Sequence, residues 1–324
     1  MVGIAQAVER SEEDGCAAPE SGPLIGLRVS ASRRLWRLGP GWAVLAGALA
    51  GGVPLLGGDT LLRLAGAIVL ADPAWGAVWV PVAGCGPRRI AALGGQRDPG
   101  RAYWPLPYLQ PAAPAARLRA MLPEARWHNI LVAALLMAGL GALLGLPALL
   151  LSLVALAVTF WALFVVQWDV QPALPRALLT VGLPWLLGMT LGQGAQPLVT
   201  GNAPALPGLS AAGLALGAAF TLLEWGSQRA YSSCDSRARG VWGGELAVVL
   251  ALVALRLPWT TAVVAVLLLP PAWYCLRAGR LAPALSGDPV LQAALTTAQR
   301  ATILARSGPW WWVAMMLAAL SLRL

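Results

Sequence analysis

Charge is what this sequence has least of. Of its 324 residues, 11% are Asp, Glu, Lys or Arg, against about 25% in an ordinary soluble domain. Roughly half of the usual solubilising surface is therefore missing, which excludes a water-soluble enzyme of this length. Lysine is absent: all 23 basic residues are Arg. There is one histidine, His128, and four cysteines, Cys16, Cys85, Cys234 and Cys275, no two of them close in sequence. That scarcity excludes a zinc finger, a haem attachment motif and a disulfide framework. The net charge of +9 raises the question of nucleic acid, but the Arg residues lie between apolar runs instead of forming one basic patch, so no nucleic-acid partner is expected.

What is present is apolar. The chain is 58% hydrophobic with a mean hydropathy of +0.68, the composition of an all-helical, polytopic membrane protein. Nine apolar runs suit helices crossing about 30 Å of hydrocarbon: 41–58, 61–82, 129–146, 147–167, 178–193, 208–226, 241–257, 259–276 and 308–322. Gly57-Gly58-Asp59, Gly145-Leu146-Pro147 and Leu257-Pro258 separate neighbouring runs, as turn chemistry requires. No charge separates the third run from the fourth.

Placing the N-terminus inside and alternating puts 20 Arg on inner segments. Only Arg63, Arg256 and Arg323 fall outside, a strong positive-inside bias. Residues 1–27, with Glu9, Glu12, Glu13, Asp14 and Glu20, read as a disordered cytoplasmic tail and lack the basic-then-apolar order of a signal peptide. Residues 28–324 then form one transmembrane domain with long inner loops at 83–128, 227–240 and 277–307. Many of the 16 Trp stand at the ends of runs, as an interfacial aromatic belt does. The expected location is the cytoplasmic (inner) membrane.

Ionisable residues inside apolar runs are costly and are functional candidates by default. Asp72 lies in the second run before Pro73, with Trp75 and Trp79 on the same helical face. Its bland reading is a cap, or a buried partner for an Arg such as Arg88. Glu224, Gln228, Tyr231 and Asp235, at spacings of 4, 3 and 4, fall within about 60° of arc and make one polar stripe. The bland reading there is a solvated helix end with Arg229, Arg237 and Arg239 snorkelling. Glu245 and Asp169 are expected to form structural ion pairs with loop Arg, and His128 to be interfacial.

The arrangement resembles the UbiA superfamily of membrane prenyltransferases, which have nine helices, an inside N-terminus and Asp-rich motifs after helices two and six. Leu70-Ala71-Asp72 ends a run where the first motif, NDxxDxxxD, would begin. Arg101 to Pro107 (RAYWPLP) is similar to the basic Pro-Leu-Pro stretch that follows it. Tyr231 to Val241 (YSSCDSRARGV) is similar to the second motif, with its Gly one residue late. Arg176 and Gly182-Leu183-Pro184 are similar to a basic residue and a Gly/Pro-containing helix of the family.

The resemblance implies Asp72 and Asp235 as catalytic residues and Asp72, Glu224 and Asp235 as ligands of Mg²⁺, if the chain is catalytic. Arg88, Arg89, Arg101 and Arg117 would bind diphosphate or lipid headgroups, and Trp75, Trp79, Gln228 and Tyr231 would line the cavity. The departures are large: Trp75 and Trp79 stand at two acidic positions of the first motif, and Gln228 and Tyr231 at two of the second. Mg²⁺ requires carboxylate oxygens bridging it to the diphosphate, which indole cannot supply. Three readings follow: a catalytically degenerate UbiA-like scaffold holding an isoprenoid, quinone or chlorin-type lipid or serving as a subunit of a membrane assembly; an active Mg²⁺-dependent prenyltransferase on a lipid-soluble or aromatic acceptor; and a small-molecule transporter. The expected partners are the bilayer, the hydrophobic ligand and other membrane subunits.

Overall fold

The computed structural model of the chain describes residues 39–54, 57–79, 127–165, 173–191, 209–232, 237–279 and 306–324. Among them there is no strand, and nine helices occur in the order of the nine apolar runs. They are α1 (Pro40–Ala50), α2 (Gly58–Trp79), α3 (Trp127–Leu144), α4 (Leu146–Val165) and α5 (Ala173–Leu191). The rest are α6 (Ala211–Ser232), α7 (Arg237–Ala254), α8 (Pro258–Gly279) and α9 (Gly308–Ser321). Three of them, α2, α5 and α8, are long and apolar enough to cross a membrane.

Local chemistry sets the breaks. Pro40 opens α1, where its missing N–H is no loss. Gly52, at φ +80°, ends it: Val53 N–H reaches Ala48 O and Gly52 N–H reaches Leu49 O, the paired bonds of a left-handed helix stop. Arg256, at φ 58°, performs the same stop between α7 and α8, with Leu257 N–H on Leu252 O. Gly145, at φ 114°, parts α3 from α4 without any charge between them.

Some helices outrun their apolar segments. The polar stretch 227–232 continues α6, and α7 begins at Arg237, so the inner loop expected at 227–240 reduces to 233–236. Hydropathy marks where a helix is greasy, whereas Gln, Arg and Ala extend one without being apolar. Residues 1–38, and most of the expected loops at 83–128 and 277–307, lie outside the described residues.

Helices α1 and α5 form the central seam. A Cβ on Gly47 would stand 2.0 Å from Trp185 O, and one on Gly188 would stand 2.1 Å from Val44 O, so the two backbones touch. Small residues permit this approach wherever helices associate without a large hydrophobic driving force. On one side of the seam Leu179, Leu183 and Leu187 join a core with Trp75, Trp79, Met137 and Ala155 of α2, α3 and α4. On the other side Trp185 and Met189 join Phe220, Val248, Leu268 and Met315 of α6 to α9. Trp185 donates to Gly213 O at 3.0 Å and stacks on Phe220, fixing α5 antiparallel to α6. Helices α6 and α7 form a second glycine seam, where a Cβ on Gly244 would meet Leu223 Cα at 2.4 Å.

Candidate functional site

Two helices carry a π-turn, and each has a proline beside it. Pro73 cannot donate to the carbonyl four residues back and its ring crowds that carbonyl. In α2 the chain responds with a wider turn over Leu70–Ala74, which Trp75 N–H closes onto Leu70 O, five residues back. In α5 the turn spans Leu178–Gly182, immediately before Pro184, and Leu183 N–H reaches Leu178 O. Such insertions re-aim side chains and recur at functional positions. The two π-turns touch each other, and the one in α5 also packs against α6.

Asp72 occupies the α2 π-turn in the interior of a continuous helix, so it is not an N-cap; it is half-buried and engaged by a neighbour. Trp75 and Trp79 follow it, both buried in the α2–α3–α4 core. The Trp75 indole N–H points to Ser152 Oγ of α4 at 3.4 Å, a weak bond. The two indoles therefore fill protein interior.

The polar stripe of α6 is buried at its first two members. Glu224 and Gln228 are each 6% exposed. Gln228 Nε2 donates to Glu224 Oε1 at 2.5 Å, and Ser227 Oγ donates to Glu224 O at 2.8 Å and to Oε2 at 3.3 Å. Both carboxylate oxygens thus accept from residues of the same helix at i+3 and i+4, where side chains are neighbours. Glu224 orients the Gln228 amide. Tyr231 lies in the last turn of α6. Asp235, Arg88, Arg89, Arg101, Arg117 and Asp169 lie outside the described residues, as does the side chain of His128.

The α5 π-turn is where these elements meet. Asp72's turn borders it, and α6 packs along it and along Ala173–Ala177, the turn that bears Arg176. Helices α2 and α6 share no extended contact of their own; α1 and α5 run between them. Asp72 and Glu224 are thus neighbours of one turn of α5, reached from opposite sides.

Among the described residues the partner of Glu245 is the indole of Trp311, which donates to Oε1 at 3.1 Å from α9; most of the loop Arg expected to pair with it lie outside the described residues. At 7% exposure the carboxylate is buried. Its position in an apolar run was legible; a partner 66 residues away was not.

As a metal site the described residues fall short. Among them no group of three or more His, Cys, Asp or Glu stands together. Both oxygens of Glu224 accept hydrogen bonds. This donor set does not by itself fit the oxygen cage that Mg²⁺ requires. No family model, no curated protein and no solved structure matches the chain.

Proposed function

We propose that the chain is a nine-span integral membrane protein on a UbiA-like frame, with its N-terminus in the cytoplasm, that holds the head of an isoprenoid, quinone or chlorin-type lipid within the bilayer and has lost its metal chemistry. The observation that carries this reading is the meeting of the two π-turns beside the buried Glu224–Gln228 pair. Buried polar groups at membrane depth are retained where they line a path or hold a ligand. A Gln amide held by a carboxylate offers a hydrogen-bonding face to a carbonyl or hydroxyl head, while the surrounding helices suit an apolar tail.

The loss of metal chemistry is supported by the occupied oxygens of Glu224 and by the indoles of Trp75 and Trp79. An ionising allylic diphosphate needs its leaving group neutralised, and two opposed carboxylate clusters do this in a prenyltransferase. Membrane insertion is supported by the apolar lengths of α2, α5 and α8 and by the Arg distribution.

Mass spectrometry of the full chain, extracted from native membrane in a mild detergent, tests the proposal. A stoichiometric isoprenoid-tailed or chlorin-tailed molecule is expected, and Gln228→Leu should reduce its occupancy. Absence of any such molecule, with no binding of added decylubiquinone or geranylgeraniol, overturns the proposal. Mg²⁺-dependent release of diphosphate from a prenyl donor, abolished by Asp235→Ala, would instead establish the active transferase, and saturable uptake into proteoliposomes a transporter.

A further inference from the structure

The end of α8 and the start of α9 meet at one level of the structure. Trp311, one turn into α9, donates to Glu245 of α7, and Cys275, near the end of α8, lies within reach of that carboxylate's charge. The two helices also pack along each other. Arg277, in the last turn of α8, and Arg306, just before α9, are both exposed. Four residues deeper on each helix stands an exposed indole, Trp273 on α8 and Trp310 on α9. Guanidinium outside and indole just inside is the order found at a lipid headgroup layer. Glu245 is the one acid of α7, α8 and α9, and it is buried.

The start of α9 is itself a polar terminus without a cap. A helix leaves its first N–H groups without intrahelical partners, so that end carries partial positive charge. Pro309 has no N–H, and Trp311 N–H reaches Ser307 O at 3.2 Å. Gly308 and Trp310 supply the remaining N–H donors of the first turn. No side chain caps them. Ser307, the residue placed to do so, has no solvent exposure, and its Oγ makes no hydrogen bond among the described residues. Buried hydroxyls without partners are rare and mark a place where a further molecule belongs. Arg306, Ser307, Gly308 and Trp310 are nearly contiguous, so one turn of chain brings a charge, a hydroxyl and two N–H donors together. That is the chemistry of an anion site.

The surroundings decide which anion fits. The neighbouring end of α8 is the negative end of its helix, and Arg277 offsets it. A soluble phosphate would use these charges but not the apolar surface beside them. Trp273 continues into Leu269 and Val266, an exposed stripe at helical spacing along α8. A phospholipid uses both: its phosphate meets the terminus and its acyl chains lie along the stripe. A choline headgroup would bring a cation to Arg306 and Arg277, so a headgroup of net negative charge fits better. We infer that the N-terminus of α9, with Ser307, Arg306 and Arg277, binds the phosphate of an anionic phospholipid of the cytoplasmic leaflet. The inference rests on the membrane insertion and sidedness proposed above, and is independent of the α6 ligand.

Native mass spectrometry of the full chain in a mild detergent tests this. The probes are dioleoyl phosphatidylglycerol and, with the same tails, dioleoyl phosphatidylcholine. Saturable, preferential binding of the glycerol lipid is expected, weakened about fivefold in Arg306→Gln and about threefold or more in Ser307→Ala. Ser307→Ala changes no charge, so a merely diffuse attraction would not respond to it. Arg256→Gln, in the turn between α7 and α8 at the opposite end, should leave the affinity unchanged. Equal binding of the two lipids, unchanged affinity in Ser307→Ala, an equal loss in Arg256→Gln, or displacement of the lipid by inorganic phosphate each overturns the inference. If Ser307→Ala does not fold, Arg306→Gln and Arg277→Gln carry the test, and unchanged affinity in both overturns it. Flotation with liposomes separates the two levels. A chain that does not float overturns membrane insertion and this inference with it, whereas a chain that floats without preferring the anionic lipid overturns this inference alone.

Discussion

Glu224 and Glu245 are both buried acids, and their surroundings differ in kind. Glu224 accepts hydrogen bonds from Ser227 and Gln228 of its own helix and is engaged further besides. Among the described residues, Glu245 takes one bond, from Trp311 on another helix. The first network exists as soon as α6 forms; the second exists only when α7 and α9 dock. Glu224 orients a neighbour on its own helix, the Gln228 amide, whereas the Trp311 bond of Glu245 ties two helices together.

Breaking the seam between the two regions should have the largest effect. Gly188→Leu drives a side chain into Val44 O and should cost more than about 4 kcal/mol, seen as loss of a monodisperse folded protein in detergent. Trp311→Phe removes the one donor to Glu245 among the described residues and should cost about 1–3 kcal/mol by chemical unfolding followed by circular dichroism. Gln228→Met should cost less, about 0.5–1.5 kcal/mol, since Ser227 still donates to Glu224. A Gln228→Met loss exceeding that of Trp311→Phe would reverse the contrast between the two acids. Ser307→Ala removes a hydroxyl that makes no bond and should leave stability of the ligand-free protein within about 0.5 kcal/mol; a larger loss would mean that the hydroxyl is satisfied from within the protein. Trp75→Phe, where a 3.4 Å contact is lost, should cost under about 1 kcal/mol in the same unfolding measurement.

Much of the helical frame was legible in advance because it rests on local chemistry. The break between α3 and α4 follows from Gly145 and Pro147, and the one between α7 and α8 from Pro258. The ends of α6 and α7 were harder, because Gln228, Arg229 and Arg237 are polar yet helical. The π-turns had a signal in Pro73 and Pro184, but proline alone does not specify them. Pro270 and Pro271 lie inside α8, which is assigned as one continuous α-helix.

The number and order of the helices, their separations and the excess of Arg on one set of segments belong to the linear chain, since hydropathy and turn propensity act over a few residues. Which acid meets which donor belongs to the tertiary structure. The stripe from Glu224 to Gln228 could be drawn on a helical wheel because its bonds span four residues. The meeting of Glu245 with Trp311, and the place of α5 between Asp72 and Glu224, depend on how glycine seams bring distant backbones together. No local pattern carries that crossing geometry.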